Sequence, residues 1–189
     1  MADTHGLVEI RWHGRGGQGA VTAAELLARA AINEGKYAQA FPSFGPERRG
    51  APVLAFDRIN EKEPIRVRAE ITEPDVVVVL DSGLLTVVNV TSGLKKEGIA
   101  IINTAKPLQD VESGLGNKWQ LAVVDANKIA REILGVPIVN TTMLGAVLRA
   151  IRIVKIESLF ELLEERFGRL GERNIEAMKK AYDETIIME

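Results

Sequence analysis

A cluster of glycines near the N-terminus constrains the fold more than any other feature of this chain. An apolar run at residues 7–13 alternates as in a β-strand, and an Ala-rich stretch with helical periodicity follows at residues 18–34. Between them lie four glycines within six residues, three of them at the G-x-G-x-x-G spacing of a strand-to-helix turn. Glycines in such a turn let the backbone approach a phosphate at the helix N-terminus. The candidate anion site consists of Gly14, Arg15, Gly16, Gly17, Gln18 and Gly19.

The usual dinucleotide meaning of this spacing is disfavoured by the residues that follow. An NAD site needs an acidic residue about 20 residues further on, where it binds the ribose hydroxyls. Residues 36–42, which read Lys-Tyr-Ala-Gln-Ala-Phe-Pro, contain none. Two interpretations remain open. The glycines either serve only close packing of helix against strand, or they bind a phosphate-bearing ligand other than NAD.

Composition places the chain among globular proteins and excludes several classes of function. The 189 residues, predicted to form one domain over 1–189, are 46% hydrophobic and 26% charged, with a net charge of −2. Balanced charge and scarce aromatic residues predict no nucleic-acid partner. Apolar stretches are too short to span a bilayer, and the N-terminus lacks the basic start and apolar run of a signal peptide. We therefore expect a cytoplasmic protein with no membrane partner.

The chain contains no cysteine and only two histidines. Without cysteine it forms no disulfide, no thiolate nucleophile and no Cys-ligated iron–sulfur cluster. Two histidines are too few for a dedicated zinc site, so no metal ligand is predicted. No catalytic residue is predicted either, and any electron carrier is expected in another chain.

The pattern of elements predicts an α/β chain: a Rossmann-like three-layer fold with a largely parallel sheet, an inserted antiparallel hairpin and a helical C-terminus. Continuous β-branched runs that end in polar residues are typical of buried parallel strands, and helical segments separate them. The predicted strands are residues 7–13, 37–41, 76–80, 99–103 and 121–125, with the hairpin at 53–59 and 65–69. The predicted helices are residues 18–34, 84–96, 126–134, 141–151, 156–167 and 172–188.

Several polar residues at predicted element ends have two interpretations. Asp81 and Asp125 end buried strands, where ligand crevices form in α/β sheets, but helix capping is the simpler role. Thr141 and Thr142 are interpreted as caps of the helix after residue 140. His13 is interpreted as a hydrogen-bonded packing residue rather than a base.

A proline-rich loop after the second strand is the candidate interface with a partner. It combines two aromatic rings and two adjacent arginines, the residue types that dominate interface hot spots. Its prolines reduce the entropy lost on docking. The alternative is that the rings fold into the core and the arginines are solvated. The interface candidates are Phe41, Phe44, Arg48 and Arg49.

Four stretches together resemble a known family over nearly the full length of the chain. They are residues 11–19, 39–52, 73–81 and 140–146. With them the chain resembles the gamma subunit of 2-oxoacid:ferredoxin oxidoreductases, in particular the pyruvate synthase group. The tandem of the first two stretches is the most specific part of this resemblance.

The resemblance implies a multi-subunit enzyme that oxidatively decarboxylates a 2-oxoacid with coenzyme A, giving acyl-CoA, CO2 and reduced ferredoxin. It implies alpha, beta and delta partner subunits that hold thiamine diphosphate and [4Fe–4S] clusters, with ferredoxin as the electron acceptor. This chain itself is expected to bind no cofactor, and is either structural or part of the coenzyme A site. The alternative function is a free-standing phosphate- or nucleotide-binding protein without redox activity.

Overall fold

The computed structural model describes residues 6–43, 50–116 and 118–188. The strands are β1 (Leu7–Arg15), β2 (Tyr37–Pro42), β3 (Pro52–Asn60), β4 (Val76–Val79), β5 (Ile99–Asn103), β6 (Gln120–Val124) and β7 (Ile186–Ile187). The helices are α1 (Ala20–Asn33), α2 (Leu108–Leu115), α3 (Ala126–Leu134), α4 (Asn140–Ile151), α5 (Phe160–Phe167) and α6 (Gly171–Glu184). Short 3-10 helices occupy Ser82–Thr86, Ile156–Leu159 and Gly168–Leu170.

All seven strands belong to one sheet, in the order β2-β3-β1-β4-β5-β6-β7. Strands β1, β4, β5 and β6 are parallel to one another, whereas β2, β3 and β7 pair with their neighbours in antiparallel fashion. Strand β1 lies at the boundary between the antiparallel part and the parallel part of the sheet, because it pairs with antiparallel β3 on one side and parallel β4 on the other. The prediction of a largely parallel α/β sheet is confirmed.

Helices cover both faces of the sheet, which makes three layers. Helices α1, α3, α4, α5 and α6 enclose the larger core on one face, around Trp12 and Met143. On the other face, Leu84 of the first 3-10 helix and Val111 of α2 pack on the parallel strands. The four residues of β4 are buried on both sides because each face of that strand meets apolar side chains. This accounts for its unbroken run of valines.

The antiparallel pair exists, but its second strand is not the one that was predicted. Strand β3 pairs with β2 on one edge and β1 on the other, so neither edge is free for a further strand. Residues 65–69 therefore form no strand, and the prediction of a 53–59/65–69 hairpin is wrong. Side chains hold this segment against the sheet instead. Arg58 donates to the carbonyls of Val67 and Ala69, and Gln39 donates to that of Ile65.

The predicted helix at residues 84–96 is also wrong, since only the 3-10 helix Ser82–Thr86 forms there. Residues 87–98 continue in turns and irregular backbone. Gly93 has a φ of +72°, and a Cβ there would lie 2.0 Å from the carbonyl oxygen of Thr72. A left-handed residue in close contact with another backbone segment is incompatible with a continuous α-helix.

The helical C-terminus is confirmed except at its ends. The predicted helix 156–167 begins with a 3-10 turn and becomes α-helical at Phe160, and the predicted helix 172–188 ends at Glu184. Residues after it form β7, which pairs with β6, and the amide of Met188 donates to the carbonyl of Leu121. None of the helices in the described ranges is long and apolar enough to cross a membrane.

Helices α4 and α6 approach each other at Gly145, which allows a direct prediction of stability. A Cβ on Gly145 would lie 2.0 Å from the carbonyl oxygen of Met178, so an added methyl group must push the helices apart. We expect Gly145→Ala to lower the free energy of unfolding by about 2 kcal/mol or more, the scale of overpacked cores.

The matched control is Gly114→Ala in α2, where a Cβ would meet nothing within 4 Å. That variant should be neutral or stabilising by up to about 1 kcal/mol, because alanine has the higher helix propensity. Chemical denaturation of both variants measures the difference. Equal stability of the two would show that the α4–α6 contact is not closely packed.

Candidate functional site

The glycine turn lies at the carboxyl end of β1, beside the carboxyl end of its parallel neighbour β4. After β1 the chain crosses to the face covered by α1, and after β4 it crosses to the opposite face, where Leu84 is buried. Diverging connections of this kind leave an opening between the two strand ends, where ligands bind in open α/β sheets. The fold therefore places residues 14–19 at the edge of a potential ligand crevice.

The conformation of the turn explains two of its glycines. Gly17 has a φ of +93° and Gly19 a φ of +78°, both in the left-handed region that favours glycine. Gly19 is the N-cap residue of α1 and supplies no side-chain cap. The turn thus delivers the chain from β1 into α1 within a few residues, as predicted.

A polar network of Arg15, Gln18 and Asp81 joins the ends of β1 and β4. Arg15 Nε donates to Asp81 Oδ2 at 2.8 Å, and Gln18 Nε2 donates to the same oxygen at 3.2 Å. Gln18 Oε1 accepts from the backbone amide of Arg15 at 2.7 Å, which closes the turn on itself. The ion pair is about a quarter to a third exposed, at 30% and 26% of the two side chains. A ligand in the crevice can therefore reach it.

The protonation of Asp81 follows from these contacts. Burial alone raises the pKa of Asp81, but hydrogen bonds from Gly83, Arg15 and Gln18, together with the charge of Arg15, outweigh it and lower the pKa overall. Asp81 is therefore ionised at neutral pH and fixes the guanidinium of Arg15 in place. Arg15 Nη1 also donates to the carbonyl of Gly50 at 3.2 Å. Arg15 Nη2 makes no hydrogen bond within the described residues and is the donor available to a ligand.

Only some of the backbone amides from Gly16 to Gly19 are free to bind an anion. The amide of Gly16 donates to the carbonyl of Ala51 at 3.0 Å, and that of Gln18 donates to the carbonyl of Arg15 at 2.9 Å. The first bond links the turn to the segment before β3, and the second closes the turn. The amides of Gly17 and Gly19 have no acceptor among the described residues, so the turn retains two free backbone donors rather than four.

Helix α4 also begins at this crevice, which the sequence patterns did not reveal. The side chain of Asn140, the first residue of α4, lies against Gly19, and a Cβ on Gly19 would be 2.6 Å from Asn140 Nδ2. Asn140 is only 6% exposed, and within the described residues its amide makes no hydrogen bond. Two helix N-termini, those of α1 and α4, therefore converge on one point and favour negative charge there. No local pattern in the sequence indicates this contact, because an asparagine ahead of a helical stretch indicates only a helix cap.

The interpretation of Thr141 and Thr142 as helix caps is wrong. Helix α4 begins at Asn140, so both threonines lie in its first turn, and the N-cap residue Val139 makes no side-chain cap. Thr141 Oγ1 instead donates to Asn174 Oδ1 of α6 at 2.6 Å. Thr142 Oγ1 is buried and has no hydrogen-bond partner. Thr141 therefore joins α4 to α6 instead of capping α4.

The capping interpretation of the two aspartates is confirmed. Asp81 accepts from the amide of Gly83 at 2.8 Å at the start of the first 3-10 helix. Asp125 accepts from the amide of Lys128 at 2.9 Å at the start of α3. Only Asp81 also contacts the glycine turn. Asp125 is therefore a structural residue, whereas Asp81 serves both the cap and the crevice.

His13 is a buried packing residue, as interpreted from the sequence. It is 6% exposed, and its Nε2 accepts a hydrogen bond from Arg11 Nε at 3.1 Å. Burial, together with the smaller effect of the positive charge of Arg11, lowers the pKa of His13 to about 3. A histidine that stays neutral at physiological pH, with one nitrogen already an acceptor, is not a general base near its operating pH.

Of the four interface candidates, the structure describes only Phe41. Phe41 is 1% exposed and packs on Phe56 at a ring-centroid distance of 5.3 Å, so its assignment to a partner surface is wrong. The guanidinium groups of Arg58 and Arg68 lie 5.7 and 6.0 Å from its ring centroid. Phe44, Arg48 and Arg49 lie outside the described residues. For Phe41 the alternative, a ring folded into the chain's own core, is correct.

The site offers binding chemistry rather than a metal or nucleophile centre. Across residues 6–43, 50–116 and 118–188, no three His, Asp or Glu side chains are placed to hold a metal ion. The crevice instead combines a fixed guanidinium, two free amides, a buried amide side chain and two helix N-termini. Such a set of donors suits an anionic group such as a phosphate.

A sheet with parallel central strands and a glycine turn at the point where its connections diverge defines a Rossmann-like α/β fold. The sequence profile described as "Pyruvate ferredoxin/flavodoxin oxidoreductase" matches residues 9–184. The chain therefore belongs to the pyruvate ferredoxin/flavodoxin oxidoreductase family, which confirms the resemblance noted in its sequence.

Relatives with established names align over almost their whole length. "Pyruvate/ketoisovalerate oxidoreductases common subunit gamma" of Pyrococcus furiosus is 58% identical over 97% of this chain and 100% of its own. "Pyruvate synthase subunit PorC" of Methanothermobacter marburgensis is 53% identical over 94% of this chain and 97% of its own. The crystal structure of pyruvate oxidoreductase subunit PORC from Thermotoga maritima superposes with a TM-score of 0.86 at 40% identity, covering 97% and 99% of the two chains.

The low pKa of His13 has a measurable consequence for stability. Below pH 6.5 an unfolded histidine takes up a proton, whereas folded His13 does so only near pH 3. The free energy of unfolding should therefore fall as the pH decreases from about 6.5 to 3, by up to about 1.4 kcal/mol per pH unit from this one group.

Proton NMR tests this directly, because the chain has only two histidines. A His5→Gln variant assigns the signals. We expect the remaining imidazole to show no titration between pH 8 and 5, and the pH dependence of unfolding to weaken in His13→Gln. A midpoint for His13 near its ordinary value would contradict the buried, neutral assignment.

Proposed function

We propose that this chain is the gamma subunit of a pyruvate, or related 2-oxoacid, ferredoxin oxidoreductase. The observation that carries the proposal is its 58% identity, over 97% of the chain, to a protein named as the gamma subunit common to pyruvate and ketoisovalerate oxidoreductases. The complete enzyme oxidatively decarboxylates a 2-oxoacid with coenzyme A to give acyl-CoA, CO2 and reduced ferredoxin. The alternative of a free-standing phosphate-binding protein is not favoured, because these relatives are named as subunits.

The chain acts as one domain within a cytoplasmic assembly of alpha, beta, gamma and delta subunits. Thiamine diphosphate and the [4Fe–4S] clusters belong to the partner subunits, and ferredoxin accepts the electrons of the whole complex. The division of labour is supported by the composition of this chain, which has no cysteine to ligate a cluster. Its own contribution is assembly and the binding of coenzyme A.

The subunit role is tested by anaerobic co-purification of the tagged chain from its native source. The expected result is a stoichiometric complex with chains that carry thiamine diphosphate and iron–sulfur clusters, and 2-oxoacid-dependent viologen reduction only in that complex. A chain that purifies alone from active extracts, or that reduces viologen by itself, contradicts the proposal.

Coenzyme A binds, in this proposal, with a phosphate group in the crevice of the glycine turn. Three features support this: the spare Nη2 donor of Arg15, the free amides of Gly17 and Gly19, and the converging N-termini of α1 and α4. Asp81 does not oppose binding while it is paired, because its charge is neutralised by Arg15 at 2.8 Å. Loss of Arg15 both removes a donor and leaves the carboxylate of Asp81 unpaired beside the phosphate.

We therefore expect Arg15→Ala to raise the KM for coenzyme A in the assembled complex by about tenfold or more, the scale of a charge-assisted hydrogen bond. The kcat at saturating coenzyme A should change little. The matched control is Arg131→Ala, which removes an exposed charge in the last turn of α3. This variant should leave the KM for coenzyme A unchanged. If Arg15→Ala has no effect on the KM, the glycine turn is structural only.

The loop between Pro42 and Pro52 is proposed as an intersubunit contact through Phe44, Arg48 and Arg49. Adjacent arginines and a phenylalanine in one proline-containing segment are residue types that dominate interface hot spots. We expect the double variant Arg48→Glu/Arg49→Glu to weaken assembly by at least about 2 kcal/mol. Thermal stability of the isolated chain should be unchanged. Full stoichiometry and activity of the complex with the double variant would show that the loop lies elsewhere.

A further inference from the structure

A second cavity lies on the face of the sheet opposite α1, away from the glycine turn. It has a volume of about 490 Å³ and lies over β1 and β3. Its lining combines apolar side chains, among them Leu54, Phe56, Ile71 and Val88, with Arg11 and His13 of β1. A concave site of a few hundred Å³, mostly apolar with a few polar groups, is typical of small-molecule binding.

The unusual feature of this cavity is a buried cation with no anionic partner. Arg11 is 7% exposed, and burial lowers its pKa, yet it forms no ion pair with any carboxylate in the described residues. Its acceptors are neutral: the carbonyls of Ile71, Val90 and Ser92 at 3.4, 3.0 and 2.5 Å, and the imidazole of His13. Buried charges in proteins are normally paired, so an unpaired guanidinium beside a cavity indicates a place for an anion.

Two hydrogen-bond donors at the cavity remain unused. A guanidinium has five N–H groups, and four of those on Arg11 are engaged by the contacts above, which leaves one on Nη1. His13 accepts at Nε2, so its proton lies on Nδ1, which has no acceptor among the described residues. Both side chains are more than nine-tenths buried, and both line the cavity.

We propose that this cavity binds the carboxylate of a small organic acid with an apolar body. The carboxylate accepts hydrogen bonds from Arg11 Nη1 and His13 Nδ1 and supplies the missing negative charge. The apolar body contacts Leu54, Phe56 and Ile71. A volume of about 490 Å³ is larger than one inserted acidic side chain requires, which favours a free molecule over a residue of a partner. The site is separate from the coenzyme A crevice and does not depend on it.

The test compares an acid with its neutral amide on the full wild-type chain. 3-Methylbutanoate and 3-methylbutanamide have nearly the same shape, but only the acid carries a charge. We expect the acid to perturb the imidazole signals of His13 in NMR titrations and to bind at least about tenfold more tightly than the amide, as expected for a charge-assisted contact. The bound acid should also raise the pKa of His13. Equal binding of acid and amide, or no change at His13, overturns the proposal.

Three variants locate the site. Leu54→Trp fills the cavity without changing its charge and should abolish binding, and Arg11→Met should remove the preference for the acid. Glu70→Gln, an exposed wall residue, is the control and should bind the acid as well as the wild type or better. If Arg11→Met does not fold, the proposal is tested by the acid–amide comparison and by Leu54→Trp. Two results overturn a small-molecule site here. One is unchanged binding of the acid in Leu54→Trp. The other is a change in the His13 signals that appears only in the assembled complex.

Discussion

The burial of β1 between two strands of opposite direction is the constraint on which the rest of the structure depends. Strand β1 pairs with antiparallel β3 over residues 7–15 and with parallel β4 over residues 10–13, so the middle of the strand is hydrogen-bonded to the sheet on both sides. Its side chains alternate between two different environments. Ile10 and Trp12 enter the core beneath α1, whereas Arg11 and His13 enter the opposite face. Both candidate binding sites follow from this one strand.

The two sites differ in the groups that surround the positive charge of their arginine. At the carboxyl end of β1, Arg15 is held by Asp81 in a partly exposed ion pair, so a ligand meets a fixed but neutralised cation with donors to spare. In the middle of β1, Arg11 is buried, and its partners among the described residues are carbonyls and an imidazole. The first arrangement favours reversible binding of a solvated phosphate group, and the second favours a desolvated carboxylate, because a buried charge interacts more strongly with its partner.

Much of the fold could be predicted because local patterns and tertiary structure agree there. Local constraints account for three such features. They are the valine run of β4, the glycine that follows α1 and the alternation of strands with helices. The wrong predictions lie where long-range contacts determine the local structure. Residues 65–69 look like a strand, but both edges of their predicted partner β3 are already paired with β1 and β2. Residues 84–96 look helical but contain Gly93, which packs against Thr72. The glycine turn and Asp81 were found from sequence, whereas the meeting of Asn140 with Gly19 depends on contact across 121 positions of the chain and has no local signal.

The central claim is that this subunit contributes a ligand crevice, formed where β1 and β4 end, to an enzyme whose redox chemistry lies in other chains. A cryo-EM structure of the assembled oxidoreductase with coenzyme A bound tests this claim most directly. The account predicts a phosphate of coenzyme A about 3 Å from the guanidinium of Arg15, at charge-assisted hydrogen-bond distance, and beside the N-terminus of α1. Well-resolved coenzyme A with no atom in that crevice, and an Arg15–Asp81 pair sealed by a neighbouring subunit, would contradict it.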